Sequence, residues 1–408
     1  MSKAKSLKAN MRSFNNRGPR RPFSPRKFNH PARRGGNGRL NQYIDPSKFV
    51  NKTVTSEELA EFKPEHRFQN FVVDARLKSN VFNKGYKLPT PIQDKAIPHI
   101  LKGADMVGVA NTGTGKTAAF LIPLINKVLF NKTAKVLIVV PTRELAIQID
   151  SEFKSLARGL SMYSVYCVGG MSIGRQISEL RLQNNFIIGT PGRLKDLIER
   201  KVIRLIEFKT IVLDEADRML DMGFINDMRF IMAGLPKERH TLFFSATLSP
   251  EIEHLIYEFL KNPVRISVKT RDTAENVEQD IVKVGGGKNK LEVLHDLLNQ
   301  KEFNKVLVFG RTKHGVERLS RNLIERGFKA DSIHGDKNHS GRQRALTAFK
   351  NNRVQVLVAT DVAARGLDIP NVSHVINYDL PQTYDDYVHR IGRTGRGDKM
   401  GKALTFID

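Results

Sequence analysis

Among its 408 residues the sequence has one cysteine, Cys167. No intramolecular disulfide can form, which fits a reducing compartment, and the apolar surroundings in YSVYCV predict a buried structural thiol. No stretch approaches the roughly 18 consecutive apolar residues that a membrane-crossing helix needs. The N-terminus has no apolar core of the signal-peptide kind. The first forty residues contain no Asp or Glu, against twelve Lys and Arg. They also lack any helical or strand period. Such a composition cannot bury enough apolar surface to offset chain entropy, so a disordered basic arm is expected.

What is present in excess is positive charge. Of the formal net charge of +25, the arm holds +12, leaving +13 on residues 41 to 408. A field of that size favours a polyanion, either nucleic acid or an anionic membrane surface. The arm has no amphipathic apolar face to lie on a membrane. It reads either as a solvated tail or as a source of non-specific phosphate contacts.

From about residue 68 the pattern alternates between short apolar runs and helix-period segments. DMVGVA (105 to 110), KVLIVV (135 to 140), FIIGT (186 to 190), TIVLDE (210 to 215) and TLFFSAT (241 to 247) read as buried parallel strands. KVLVFGRT (305 to 312), FKADSIHG (328 to 335), VQVLVAT (354 to 360) and VSHVINYD (372 to 379) repeat the pattern. Between the blocks lies the polar run KTRDTAENVEQ (269 to 279), which suits an exposed linker. Repeated βα units imply parallel sheets covered by helices on both faces, hence an α/β chain of two domains. The expected boundaries are a basic extension over 1–67, domains over 68–268 and 277–408, and a linker over 269–276.

The strongest local signal is ANTGTGKT, residues 110 to 117, between an apolar strand and a helix-forming run. It is the phosphate-binding loop G-x-x-x-x-G-K-[ST] with Ala110 in place of the first glycine. Gly113 and Gly115 let the backbone turn several N–H groups toward one anion. Lys116 can reach the β- and γ-phosphates, and the Thr117 hydroxyl can ligate Mg²⁺. The string DEAD, Asp214 to Asp217, follows the strand IVL. Asp214 stands where a Mg²⁺-holding carboxylate is needed, and Glu215 can orient and deprotonate an attacking water.

Taken with PTPIQ, PTRELA, TPGRL, SAT, ARGLDIP and HRIGRTGR in the same chain, these motifs resemble the DEAD-box RNA helicases of superfamily 2, over about residues 68 to 408. The resemblance implies two tandem RecA-like domains and RNA-stimulated ATP hydrolysis that remodels RNA duplexes or RNA–protein complexes. It implies that Tyr86 stacks on adenine, that Gln93 reads its edge, and that Phe68 lies nearby. Asn111, Thr112, Gly113, Thr114, Gly115, Lys116 and Thr117 would hold the phosphates, with Gly366 and Asp368 facing the nucleotide. Arg393 and Arg396 match arginine fingers, so the catalytic set is Lys116, Glu215, Arg393 and Arg396. Asp217, Ser245, Thr247 and His389 would relay nucleotide state to RNA grip. RNA contacts, mostly to the backbone, fall to Pro141, Thr142, Arg143, Gly169, Gly170, Thr190, Pro191, Gly192 and Arg193 in the first domain. In the second they fall to Arg311, Gly335, Arg342, Thr360 and Arg365.

Two departures stand out. Asn111 replaces a usual glutamine, and His339 stands where HGD-x-x-Q-x-x-R normally has Gln. The family also continues into a helix after the strand ALTFI, which this sequence does not include. The expected partners are RNA and ribosomal or RNA-decay assemblies, with no membrane, and the expected form is a cytoplasmic monomer. Two rival readings use the same motifs: an ATP-gated RNA clamp, and a translocating DNA helicase.

Overall fold

The computed structural model describes residues 49–50, 62–111, 113–268, 277–285, 287–364, 369–395 and 401–407. The basic arm, and with it the expectation of disorder there, lies outside the described residues. So do Thr112, Arg365, Gly366, Asp368 and Arg396.

Two parallel sheets organise the chain. The first has the order β3-β4-β2-β5-β6-β1-β7. Its strands are β1 (Met106–Val109), β2 (Lys135–Val139), β3 (Ser164–Cys167), β4 (Phe186–Gly189), β5 (Phe208–Leu213), β6 (His240–Ser245) and β7 (Val264–Ser267). The second has the order β10-β11-β9-β12-β13-β8. It comprises β8 (Val277–Lys283), β9 (Val306–Phe309), β10 (Ala330–Ile333), β11 (Val356–Ala359), β12 (His374–Asn377) and β13 (Gly401–Ile407). The helices of the first lobe are α1 (Ala75–Asn83), α2 (Pro91–Leu101), α3 (Lys116–Phe130), α4 (Arg143–Leu156), α5 (Ile173–Leu180), α6 (Pro191–Glu199), α7 (Ala216–Asp221), α8 (Ile225–Gly234) and α9 (Pro250–Phe259). Those of the second lobe are α10 (Lys290–Leu298), α11 (Lys313–Glu325), α12 (His339–Lys350), α13 (Asp361–Ala364) and α14 (Tyr384–Ile391).

Each sheet is buried on both faces at its centre because the central strands are apolar at nearly every position. In β2, Val136 and Ile138 join one core with α1 to α4, while Leu137 and Val139 join another with α6 to α9. In β9, Leu307 and Phe309 face one side and Val306 and Val308 the other. Alternate side chains of a strand point to opposite faces, so one apolar run serves two cores.

Every strand read from the sequence is present with shifted ends; β5 and β6 begin two residues and one residue earlier than expected. One reading needs correction. The polar linker does not reach 279: Val277 and Gln279 are buried in β8, which pairs in parallel with β13. V-E-Q-D-I alternates with period two, a signal that the surrounding polarity hid. Cys167 is fully buried, and burial pushes its thiol up to about 12, as an inert structural cysteine should behave.

Candidate active site

Strand order sorts the motifs into two groups. In the first sheet β5, β6 and β1 are neighbours. The loops that leave their C-terminal ends carry DEAD, SAT and the phosphate loop. The other half, β3-β4-β2, brings Gly169–Gly170, Thr190–Arg193 and Pro141–Arg143 together. Ligands of open α/β sheets bind outside these carboxyl ends.

At the nucleotide half, Gly113 and Gly115 both have positive φ, 87° and 93°, and Gly115 caps α3. The unsatisfied N–H groups of that helix start suit an anion. A Cβ on Gly115 would lie 2.5 Å from Gln93 Nε2, so the loop and Gln93 fit only with glycine there. The Lys116 ammonium is buried and donates to the Ala110 carbonyl at 2.8 Å, which confines it to the loop. Thr114 Oγ1 donates to the Asn111 carbonyl at 2.8 Å.

Asp214 and Glu215 follow β5. Burial is the main force that raises the Asp214 pKa to about 6, against the pull of Lys116. The Asp214 carboxylate accepts the Glu215 N–H at 2.9 Å. Glu215 has φ 53°, a left-handed conformation that is strained for a residue with a Cβ and that turns its side chain off the strand. Its carboxylate is gripped by Arg218, buried at 1 % exposure, through a 2.8 Å ion pair. Among the described residues no group of three His, Cys, Asp or Glu forms a metal cage. The Thr117 hydroxyl and Asp214 carboxylate fit Mg²⁺ of another kind, one carried in on nucleotide phosphates and held by few protein ligands.

Asp217 accepts from Ala246 N at 2.9 Å, Thr247 N at 3.0 Å and Thr247 Oγ1 at 3.2 Å. Ser245 Oγ donates to the Thr247 carbonyl, so it joins this network through Thr247. Burial alone would raise the Asp217 pKa, but Lys116, Arg218 and His389 together hold it below the usual carboxylate range. His389 belongs to the second lobe, so the network feels both lobes.

Gln93 is fully buried. Its Oε1 accepts from Thr90 N at 3.0 Å and its Nε2 donates to the Gly115 carbonyl at 3.1 Å. Each bond uses one lone pair or one hydrogen, leaving the amide one acceptor position and one donor hydrogen. The Tyr86 hydroxyl donates to Glu152 at 2.8 Å, which fixes the ring. Burial, then the Glu152 charge, raises its pKa. Phe68 is a core residue, 2 % exposed and 5.8 Å from the Tyr86 ring, so it backs that ring from within the lobe. Replacement of Gln93 by Ala is expected to erode the preference for ATP over GTP by roughly 10- to 100-fold in kcat/KM, the worth of a bidentate base contact. Turnover of the two nucleotides side by side measures it.

A second cleft, of about 470 Å³, is lined by both lobes. The expected contacts Pro141, Thr142, Arg143, Gly169, Thr190, Gly192, Arg193, Gly335 and Arg342 all line it. Gly170, Pro191, Arg311 and Thr360 do not. Thr142 caps α4 by accepting from Leu145 N, which points its hydroxyl inward along the helix start. A side chain on Gly170, whose φ is 74°, would collide with the Arg143 guanidinium, so the paired glycines make room for that arginine. Burial, followed by the charge of Arg342, lowers the Arg143 pKa. Arg193 Nη1 donates to Gln176 Oε1 at 3.0 Å. His339 opens α12, and its Nδ1 is buried without a hydrogen-bond partner.

Sequence reasoning missed three charged residues. Glu144 meets Arg342 across the lobes at 2.8 Å, without an aligned hydrogen bond. Arg218 braces Glu215. Arg390, 2 % exposed, donates to Asp361 at 2.6 and 2.8 Å, to Asn377 at 3.1 Å and to the Asp379 carbonyl at 2.6 Å. It lies one turn before Arg393 in the same motif but staples α14 to the sheet. Arg390→Ala is expected to destabilise the second lobe by about 1–3 kcal/mol, since it leaves Asn377 Oδ1 and the Asp379 carbonyl without their buried donor and the partly exposed Asp361 without its ion partner. Denaturant unfolding reads this directly.

Residues 90–255 match the DEAD/DEAH box helicase family, and residues 289–398 match the helicase conserved C-terminal domain. The chain is 46 % identical to the ATP-dependent RNA helicase CshA of Listeria monocytogenes over 343 residues, covering 84 % of this chain and 66 % of that protein. With the DEAD-box ATP-dependent RNA helicase CshA of Bacillus subtilis it shares 45 % identity, over 83 % of this chain and 69 % of that one. In three dimensions it resembles S. cerevisiae Dbp5 bound to RNA and ADP–BeF3, with a TM-score of 0.75, 30 % identity, and coverage of 84 % of this chain and 89 % of that one. The chain belongs to the DEAD-box family of ATP-dependent RNA helicases.

Proposed function

We propose that this helicase uses RNA-stimulated ATP hydrolysis to separate short RNA duplexes locally and to remodel RNA–protein complexes, without processive translocation. The observation that carries this is the division of the first sheet's edge into a nucleotide half and an RNA half, each faced by residues of the second lobe. Lys116 and the loop N–H groups bind the phosphates, Gln93 and Tyr86 bind adenine, and Glu215 takes the proton of the attacking water. Arg393, and Arg396 beside it in the motif, neutralise charge that develops on the transferred phosphoryl group. Mg²⁺, held by Thr117 and Asp214, supplies further neutralisation when bound. Gly366 and Asp368 complete the nucleotide surface.

RNA enters the second cleft through backbone phosphates. Arg143 and Arg193 supply charge, with N–H groups at Gly169 and Gly192 and the Thr190 hydroxyl, and Arg342 and Gly335 contribute from the second lobe. Gly170, Pro191, Arg311, Thr360 and Arg365 extend the same track. Such contacts position a strand without reading its bases. The Glu144–Arg342 pair lacks hydrogen-bond alignment, so a phosphate competes well for that guanidinium. ATP and RNA therefore favour one closed arrangement, and their coupling is reciprocal. The likeness to Dbp5 with RNA and nucleotide bound supports reading the described arrangement as the closed one. One chain supplies both lobes, so a monomer suffices. Cytoplasmic ribosomal or decay assemblies offer the short, structured RNA that such a cycle acts on.

The test is ATP turnover with and without single-stranded RNA, with single-stranded DNA in parallel. Stimulation by RNA alone is expected. Equal stimulation by DNA overturns the proposal in favour of a translocase.

A further inference from the structure

Phe49 precedes the first lobe in sequence, yet its ring is buried in the core of the second. It is 1 % exposed and packs with Val277, Leu307, Val375 and Ile391. Its nearest aromatic partner is Tyr387, with ring centroids 4.7 Å apart and planes at 58°. Tyr387 is fully buried in α14, and its hydroxyl donates to Gln279 of β8 at 2.9 Å. Downstream, the chain anchors on the first lobe where the N–H groups of Glu65 and His66 donate to the Asp94 carboxylate at 2.8 and 3.0 Å. Asp94 lies in α2, the helix that carries Gln93.

α14 has eight residues, too few to hold itself as a helix, so its direction comes from packing. Two anchors supply it. One turn apart on the same face, Arg390 ties the helix to Asp361, Asn377 and Asp379, and Tyr387 wedges between Gln279 and Phe49. His389 lies in α14, and Arg393, 3 % exposed, lies two residues past its end, tied back to it where its N–H donates to the Arg390 carbonyl at 3.1 Å. A small tilt of α14 therefore moves both heads. Removing the Phe49 ring leaves a cavity beside Tyr387, into which the helix relaxes only in part.

We propose that Phe49 is a positioning residue for ATP hydrolysis: seated against Tyr387, it sets the direction of α14 and so the placement of Arg393 and His389. This rests on the reading of Arg393 as an arginine finger. Phe49 touches neither nucleotide nor phosphate loop, so its loss acts on the catalytic step rather than on ATP binding.

The experiment compares Phe49→Ala and Phe49→Leu in the full chain at saturating RNA, well below each variant's unfolding midpoint. Phe49→Ala is expected to lower kcat about tenfold or more, as small displacements of a catalytic group do. The KM for ATP should stay within about twofold, marking an interaction that acts in the transition state. Phe49→Leu, which keeps most of the volume, should recover much of the lost kcat. If Phe49→Ala yields no folded protein, Phe49→Val carries the same readout. An unchanged kcat in a folded variant, with only the unfolding midpoint lowered, overturns the proposal and makes Phe49 a seal on the core. Arg393→Ala separates the two levels. If it leaves kcat intact, the finger reading itself fails; if it abolishes turnover while Phe49→Ala does not slow it, only the positioning role fails.

Discussion

Glu215→Gln is expected to lower ATP turnover by about 10³-fold, within the range that a general base contributes, and to leave ATP-dependent RNA binding in place. Glu215 sits two residues past the end of β5 with φ 53°, held there by Arg218 at 2.8 Å. An amide oxygen still accepts from Arg218, so the variant keeps its conformation. What it loses is the basic oxygen. The loss falls on the chemical step alone, because Lys116, Gln93 and the loop N–H groups that bind ATP are untouched. Phosphate release under saturating RNA measures the first effect, and retention of labelled RNA with ATP measures the second. Turnover within tenfold of the parent would place water activation on another group.

Arg393→Ala is expected to cost about 10³- to 10⁵-fold in kcat, the usual worth of an arginine finger. The argument is geometric. Arg393 belongs to the second lobe and the phosphate loop to the first, so its charge reaches the nucleotide only when the lobes meet. ATP binding, built from first-lobe groups, should persist. The contrast with Arg390 three residues earlier is sharp: that substitution lowers stability, whereas this one silences a folded protein. Measuring unfolding midpoints beside kcat for both variants distinguishes them. A folded Arg393→Ala enzyme with near-normal turnover would remove the second lobe from the chemistry.

Much of this was legible in the sequence because it is local. Apolar runs of four to six residues gave the strands. The phosphate loop, DEAD and SAT each mark the end of a strand, and their meeting required only the strand order. Thr142 and Arg143 were identifiable from one short string. What stayed hidden depends on partners far away in the chain. Glu144 finds Arg342 on the other lobe, and Phe49 finds Tyr387 near the opposite end of the sequence. Arg218 and Arg390 resemble ordinary surface arginines of helices, since nothing nearby in sequence announces the carboxylates they meet. β8 was partly missed because Glu278 and Asp280 alternate with its buried residues and made it read as linker. Arg311 and Thr360, which the motifs assign to the RNA track, lie outside the lining of the cleft.

The two halves of the first sheet meet along a single seam, the pairing of β2 with β5. There the backbone N–H of Asp214 donates to the Val139 carbonyl at 3.0 Å. Val139 stands two residues before Pro141, where the RNA track begins. The residues proposed for the polynucleotide and for the nucleotide are thus joined by one peptide hydrogen bond and a few covalent links. The Pro141–Arg143 turn and the Asp214 carboxylate are held by one pair of hydrogen-bonded strands, and their spacing is fixed within the first lobe alone.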